Sequence, residues 1–290
     1  MPYTSGDTLG GGLRVDLGDI PLGGVDSAGV AWHLQEMDGW DSPASEGETQ
    51  AREGDHGSWF TPVYLRERPI TAAGTIVAPD RASLDDAMDR LRVAVSLTDT
   101  LLVVQESTPK QAMVRRSGKL LIKHVTDSVA TYSLMVTAAD PRRYSTDLQE
   151  ASTPLPSSTG GATPPLTPPV LVDAVTVAGQ IDAYNAGTFD SRPILVIDGP
   201  VIAPQVLAQM PDGSVRIIGY SQTLNVGEQL VIDTDAHSVI LNGAVSRRRF
   251  LTTPTGWPII PAGGTVSFQF RSDTYDPDAM LTARWRSAWM

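Results

Sequence analysis

The sequence predicts a mainly β protein built from two domains. Most of its 290 residues fall into short segments of strand-forming residues separated by Gly, Pro, Asn and Asp. Only one segment has helical periodicity, and a Ser, Thr, Pro and Gly-rich stretch at 152–169 interrupts the chain. We therefore assign residues 1–150 to an N-terminal β domain, a split barrel or sandwich with one helix. Residues 151–169 are assigned to a linker or arm, and 170–290 to a C-terminal jelly-roll β-sandwich.

In the first half, the pattern predicts seven strands. Alternation is clearest in residues 131–136, where Tyr132, Leu134 and Val136 share one face. The predicted strands cover residues 30–36, 62–66, 69–77, 101–105, 111–115, 119–125 and 130–137.

One amphipathic helix is predicted over residues 81–96, because its apolar residues recur at helical spacing. Either Asp80 or Ser83 would cap its N-terminus. Asp85 and Asp86 are expected in the first turn, where carboxylates suit the positive end of the helix dipole. The charged side of this helix is expected to be a solvated surface rather than a site.

The first domain is expected to end at residues 138–145, which read Ala-Ala-Asp-Pro-Arg-Arg-Tyr-Ser. Pro141 has no N–H to donate to a neighbouring strand, and it disfavours a helical conformation at Asp140. The preceding strand therefore stops there.

In the second half, nine short strands without a helix predict a two-sheet sandwich. Asp212-Gly213 and Asn242-Gly243 are typical hairpin turns, because these residues tolerate positive φ. The predicted strands cover residues 171–177, 194–198, 204–210, 214–219, 228–232, 237–241, 244–251, 265–271 and 279–286.

Charge and composition narrow the functions available. The net charge is −11, and the basic residues are scattered along the sequence, which argues against nucleic-acid binding. No cysteine is present, so thiolate nucleophiles and disulfides are excluded. The start of the sequence lacks a secretion-signal pattern, and no apolar run approaches the ~18 residues of a membrane span, so we expect a soluble protein.

Catalytic and metal-binding motifs are few. The sequence has no Gly-x-Ser-x-Gly elbow, no phosphate-binding glycine loop and no close pair of histidines. Asp233, Asp235 and His237 are spaced to share one strand face and meet a cation, but a polar strand edge approaching a turn is the favoured interpretation. We predict no metal site and no cofactor.

Residues 45–56 contain two pairs of acids that resemble the carboxylate pairs of glycosidases, Glu46 with Glu48 and Glu53 with Asp55. Their glycine-rich setting favours a solvated loop instead. The six tryptophans are interpreted as core and interface anchors rather than as a sugar-binding platform, with Trp40 and Trp59 set apart as exceptions because they bracket this polar stretch. We predict no catalytic residue, and hence a protein that is not an enzyme.

Taken together, the chain resembles the distal tail protein (Dit) family of long-tailed, non-contractile bacteriophages. The likeness lies in the order and spacing of short blocks, since each block alone is common. In the first half these are Val30-Ala31-Trp32-His33-Leu34, Asp38-Gly39-Trp40, Arg68-Pro69-Ile70, Gly74-Thr75-Ile76, the helix, and Asp140-Pro141-Arg142-Arg143-Tyr144. In the second half they are Asn185-Ala186-Gly187-Thr188, Arg192-Pro193-Ile194, Gly199-Pro200-Val201, Gly227-Glu228, Ile232-Asp233, Asn242-Gly243, Pro261-Ala262-Gly263-Gly264 and the segment 285–289.

The resemblance implies a structural protein of the virion, made in the host cytoplasm and placed at the tail tip. Its N-terminal domain would form a hexameric ring, and its C-terminal domain would be a galectin-like sandwich. The implied partners are further copies of the chain, the tail tube protein, a hub or tip protein and receptor-binding proteins. DNA would pass through the ring without specific binding, and an acidic channel wall is our hypothesis for why it would not adhere.

Two other function classes remain open at this point. A carbohydrate-binding adhesin would use the exposed aromatic residues near Trp40 and Trp59, or the second sandwich. An enzyme such as a glycosidase or esterase is a third hypothesis, and it would need one of the acids named above.

Overall fold

The computed structural model describes residues 12–159 and 175–290 and has several β-sheets and one α-helix. The chain divides into two compact units, Met1–Thr146 with Met290, and Asp147–Trp289. We call these the first and the second unit. Within the described residues, no helix is long and apolar enough to span a membrane.

The first unit is built around one antiparallel sheet. Its strand order is β2-β1-β10-β11-β13-β9-β4-β3, with β12 beside β13 and β14 beside β11. Its strands are β1 Val15–Leu17, β2 Ile20–Leu22, β3 Gly24–Val25, β4 Ala31–Asp38, β5 Ser45–Glu46, β6 Thr49–Ala51, β7 Ser58–Phe60, β8 Tyr64–Leu65, β9 Arg68–Val77, β10 Thr100–Val104, β11 Lys110–Arg116, β12 Leu121–His124, β13 Val129–Ala138 and β14 Arg143–Ser145.

The longest pairing in this sheet joins β13 to β9, in register over all ten residues of each strand. On β13 the buried positions are Ala130, Tyr132, Leu134, Val136 and Ala138, which is the alternation that the sequence predicts. All seven predicted strands of the first half are present. The two strands β1 and β2 were not predicted, because three residues between glycines are too few to show a period.

The helix α1 is Arg81–Ala94, and its buried residues Leu84, Ala87, Met88 and Leu91 pack on the core of the first unit. Asp80 caps it, because its carboxylate accepts the backbone N–H of Ser83 at 2.8 Å. The prediction that acids occupy the first turn is wrong: helical geometry begins at Arg81, so Asp85 and Asp86 fall in the second turn.

The second unit is a β-sandwich. One sheet has the order β15-β29-β19-β24-β25-β26, and the other has the order β18-β28-β21-β22-β27. Apolar residues of both sheets belong to one core, which includes Leu195, Ile232, Phe268 and Phe270. The strands are β15 Gln149–Pro154, β16 Ser157–Thr159, β17 Val175–Val177, β18 Gln180–Tyr184, β19 Ile194–Asp198, β20 Val201–Ile202, β21 Gln205–Gln209, β22 Val215–Tyr220, β23 Thr223–Leu224, β24 Gln229–Asp233, β25 Ser238–Leu241, β26 Val245–Ser246, β27 Leu251–Thr252, β28 Thr265–Arg271, β29 Met280–Trp285 and β30 Ala288–Trp289.

Two boundaries differ from the sequence-based expectation. The predicted strand at 244–251 is instead β26, a short 3₁₀-helix at Arg248–Phe250 and β27. The predicted linker at 151–169 is wrong at its start, because β15 pairs along its whole length with β29 and Leu155 is buried in the core of the second unit. Residues 160–169 of that linker, and the start of the predicted strand 171–177, lie outside the described residues.

Candidate assembly surface

The most exposed structured segment of the first unit is a β-ribbon between strands β4 and β9, which we call the arm (residues 44–66). Strand β5 pairs with β8, and β6 pairs with β7. The ribbon is continuous between these pairs, because Thr61 and Glu48 exchange three hydrogen bonds of 2.6–3.1 Å. At roughly 3.3 Å per residue, its eight or nine residues on each side extend about 25 Å.

The arm carries large apolar side chains that are not buried. Trp59 is 60% exposed, Phe60 86%, Val63 57% and Tyr64 71%. A two-stranded ribbon is marginally stable by itself in water, and exposed apolar patches on folded proteins mark interaction sites. The arm is therefore the surface of the first unit that is best suited to contact another protein.

The acids proposed as a catalytic pair lie on this arm. Glu46 forms an exposed ion pair with Arg66, with a 2.8 Å distance between Oε1 and Nη2. The hydrogen bond and positive charge of Arg66 lower the pKa of Glu46, which is the opposite of what a general acid requires. Glu48, Glu53 and Asp55 are exposed, so the solvated interpretation of these acids is supported, although the segment is a ribbon rather than an irregular loop.

Trp40 does not belong to an exposed aromatic platform. It is only 5% exposed, and its indole N–H donates to Glu106 at 2.6 Å. Of the two tryptophans that bracket the polar stretch, only Trp59 faces solvent, with the guanidinium of Arg52 at 4.3 Å from its ring centroid. Setting Trp40 apart from the core tryptophans is therefore wrong, because its side chain belongs to the core of the first unit.

The base of the arm is held by the buried side chain of Arg68. This arginine is 0% exposed, and its guanidinium donates to the carbonyl oxygens of Gly39, Trp40 and Pro141. The two bonds to Pro141 are 2.7 and 2.9 Å long. Gly39 and Trp40 precede the arm and Arg68 follows it, so one side chain ties both ends of the arm to the loop after β13.

Gly39 is required by the same arrangement. Its φ is +84°, and a Cβ at this position would lie 1.9 Å from the carbonyl oxygen of Pro69. Only glycine accepts this backbone conformation and this approach without a rearrangement. The blocks Asp38-Gly39-Trp40, Arg68-Pro69 and Asp140-Pro141-Arg142-Arg143-Tyr144, which are remote in sequence, therefore meet at one point.

The guanidinium of Arg68 is strongly desolvated but stays charged. Burial, with a contribution from the nearby Arg143, lowers the pKa of Arg68 to about 10, so the guanidinium stays protonated at neutral pH. Burial also raises the pKa of Glu106, but hydrogen bonds from Lys110 and Trp40 outweigh it and leave the pKa below its ordinary value. Both groups are ionised at pH 7 and hold the arm base by charge-assisted hydrogen bonds.

A second buried carboxylate joins the helix to the sheet. Asp26 is 6% exposed and accepts hydrogen bonds from the backbone N–H groups of Ala28 and Val30, both at 2.9 Å, and from the indole of Trp32 at 3.0 Å. Arg90 of α1 pairs with it at 2.8 Å. Burial raises the pKa of Asp26, but these partners together lower it below its ordinary value.

We expect acid to destabilise the first unit partly through Asp26. Since the folded-state pKa is depressed, the stabilisation is present above the unfolded pKa of about 3.8 and is lost as pH falls through the folded-state pKa. Asp26→Asn should lower the free energy of unfolding by about 1 to 3 kcal/mol at pH 7 and weaken its decline below pH 4. Denaturant unfolding between pH 2.5 and 7 measures this, and an unchanged acid limb would contradict it.

In the second unit, the buried side chain of Asn185 plays a role similar to that of Arg68. Asn185 is 0% exposed. Its Nδ2 donates to the carbonyl oxygens of Phe189, Ile260 and Pro261. Its Oδ1 accepts hydrogen bonds from the backbone N–H groups of Gly187 and Ala288. The blocks at 185–188, 261–264 and 285–289 therefore converge on one amide. These blocks stabilise the fold and provide no reactive group.

The candidate cation ligands do not converge. Asp233 ends β24 and its carboxylate accepts the N–H groups of Asp235 and Ala236, whereas Asp235 pairs with Arg192 at 3.4 Å. His237 has a φ of +52° in the following turn and stacks on Trp257. The prediction that the three share a strand face is wrong because the chain turns at residue 234. Among the described residues, no three His, Asp or Glu side chains could together hold a metal ion.

The sequence matches no protein-family model and no curated protein. The fold, in contrast, matches solved structures of phage tail proteins. The crystal structure of the Dit protein (gp 19.1) of phage SPP1, described as a paradigm of the hub adsorption apparatus in phages that infect Gram-positive bacteria, superposes with a TM-score of 0.60. The two sequences are 12% identical, and the match covers 89% of this chain and 93% of the SPP1 chain.

Two further matches come from the baseplate of phage p2 in its activated conformation. The strontium form gives a TM-score of 0.53 at 11% identity, and the calcium form gives 0.53 at 10%. Each covers 94% of this chain and 97% of the baseplate chain. The expected likeness to phage distal tail proteins is thus confirmed at the level of the fold, across both units.

Proposed function

We propose that this chain is a structural distal tail protein of a long-tailed, non-contractile phage. Six copies would form a ring that joins the tail tube to the tail tip and leaves a channel for DNA. The observation that carries the proposal is the fold match to the SPP1 Dit protein, which extends over nearly the full length of both chains. In this role the protein would be made in the host cytoplasm and would become part of the virion.

The features of the first unit fit a role in assembly rather than catalysis. The arm presents exposed aromatic residues and unpaired strand edges, both of which add to neighbouring proteins. Arg68 fixes the base of the arm, so its direction is set before a partner binds. The partners we propose are further copies of this chain and the tail tube protein. The second unit, a galectin-like sandwich in this proposal, would hold tip and receptor-binding proteins.

The adhesin alternative has less support. It relies on exposed aromatic side chains near Trp40 and Trp59, but Trp40 is buried and bonded to Glu106. Glycan-array binding that disappears in Trp59→Ala would favour the adhesin. Similarity of fold does not by itself confer carbohydrate binding on the second unit.

We expect the purified chain, alone or mixed with the tail tube protein of its phage, to form a closed ring of six copies. Light scattering measures the native mass, and negative-stain images show whether the particle has an open centre. A chain that stays monomeric at every concentration, and that also fails to bind the ends of tail tubes, would contradict the proposal.

A further inference from the structure

Four arginines gather around two aromatic rings in the second unit. Arg248 lies 4.9 Å from the ring centroid of Trp257, and Arg216 donates to the backbone carbonyl of the same tryptophan. Arg247 and Arg249 lie 5.8 and 4.5 Å from the ring centroid of Phe250. We call Arg216, Arg247, Arg248 and Arg249 the arginine cluster. Three of these arginines, 247–249, are consecutive in the sequence, and the fold brings Arg216 to the same tryptophan, so the cluster holds four of the eight arginines of residues 147–289.

No arginine of the cluster has an acidic ion-pair partner among the described residues, unlike Arg192 and Arg284 of the same unit. Arg284 pairs with Glu150 at 2.7 Å, and Arg192 pairs with Asp235 at 3.4 Å. Within 12–159 and 175–290, no carboxylate lies within 4.0 Å of a cluster guanidinium. The Nε of Arg247 is also buried without a hydrogen-bond acceptor among these residues. The described carboxylates therefore form no ion pair with the cluster, although hydrogen bonds from Ser214, and to a lesser extent the positive charge of nearby Arg216, lower the pKa of Asp212.

Ring faces and backbone carbonyls, rather than carboxylates, hold these guanidiniums in place. His237 stacks on Trp257 with a centroid distance of 4.6 Å, which fixes the orientation of that ring beside Arg248. The 3₁₀-helix Arg248–Phe250 fixes the backbone of the cluster. Arg216 and Arg248 each use one Nη1 donor on a backbone carbonyl, of Trp257 and Leu251 respectively. A guanidinium held on an aromatic face keeps its other N–H donors for an anion, and its conformation is already restricted before binding.

We propose that the arginine cluster binds a phosphate group carried on an otherwise uncharged molecule, such as a phosphorylated polyol or sugar. Phosphate offers several acceptor oxygens and more than one negative charge, which suits several guanidiniums better than a single carboxylate does. A long polyanion such as DNA is disfavoured, because the net charge of −11 repels extended negative chains away from this one patch.

The test is an equilibrium titration of the full chain with glycerol phosphate, followed by phosphorus NMR and calorimetry, with glycerol as the uncharged control. We expect glycerol phosphate to bind and glycerol not to bind. The double variant Arg248→Gln/Arg249→Gln should weaken binding by about tenfold or more, and Arg248→Lys should fall between it and the unmodified chain, because lysine keeps the charge but loses the planar fork. Binding should also weaken as salt is raised.

Arg284→Gln is the matched control, since it removes an arginine of the same unit that has its own carboxylate partner. Circular dichroism and native mass show that the variants are folded and assemble as the unmodified chain does, which separates this result from the proposed tail role. Failure of glycerol phosphate to bind, or equal binding by the double variant, would overturn the proposal. If a polyglutamate peptide binds the same arginines and glycerol phosphate does not, the proposal is wrong and the cluster binds an acidic protein instead.

Discussion

Replacing Arg68 by methionine is expected to destabilise the first unit severely. The substitution fills a similar volume but removes the donors for the carbonyls of Gly39, Trp40 and Pro141, in a site where the side chain is 0% exposed. Each buried acceptor left without a partner costs about 1 to 3 kcal/mol, so the loss over the three carbonyls is about 3 to 9 kcal/mol. That is a large part of the stability of a domain of this size.

Hydrogen exchange followed by mass spectrometry measures this effect for each unit separately. In Arg68→Met, peptides from β9 and β13 should lose protection, whereas peptides from β24 and β28 should keep it. Arg66→Met is the matched control, because it makes the same substitution two residues earlier, at an exposed ion pair with Glu46 on the arm. If the amides of β9 are protected from exchange as well in Arg68→Met as in the unmodified chain, the buried guanidinium is not what holds the base of the arm.

The regular strands and the helix are the part of the fold that the sequence predicts well. On β13 and β28 one face is buried and the other is more exposed, so apolar and polar residues alternate and the two-residue period of a strand can be recognised in the sequence. The helix could be predicted for the same reason, because one of its faces is buried and its apolar residues recur at helical spacing. Its N-cap, Asp80, was one of the two residues expected there. These patterns arise from burial of one face, which local sequence records directly.

The arm was harder to predict because neither of its faces is buried. Thr49–Ala51 and Ser58–Phe60 are exposed at every position, so no alternation marks them as strands. Strand β15 was also missed, because its Ser, Thr and Pro content is typical of a linker, although Thr153 is buried within the second unit. Pairing with a distant strand, Met280–Trp285, determines its structure.

The buried polar groups were the least predictable feature. Arginine and asparagine are mostly exposed residues, and nothing local to Arg68 or Asn185 indicates complete burial. The signal that exists is indirect: short blocks far apart in sequence supply the carbonyls and glycines that these two side chains require. Three members of the arginine cluster are adjacent in the sequence, and only the fold adds the fourth: Arg216 of β22 donates to Trp257, the tryptophan beside Arg248.

The second large effect is expected on the arm. Phe60 and Tyr64 are 86% and 71% exposed, and their replacement together by serine removes two aromatic side chains without creating a cavity. Aromatic side chains at the centre of an interface contribute about 2 kcal/mol or more each. If the arm is the contact between copies or with the tail tube, Phe60→Ser/Tyr64→Ser should weaken assembly by about a hundredfold or more.

Native mass measured over a range of concentrations, with and without tail tubes, tests this expectation. Val93→Ser/Val226→Ser is the control, because it removes two apolar side chains that are 74% and 82% exposed but lie outside the arm. The arm variant should remain folded, as judged by its unfolding midpoint, since neither aromatic belongs to the core. If the arm variant assembles as well as this control does, the contacts of the proposed ring do not involve the arm, and its exposed aromatic residues bind some other partner.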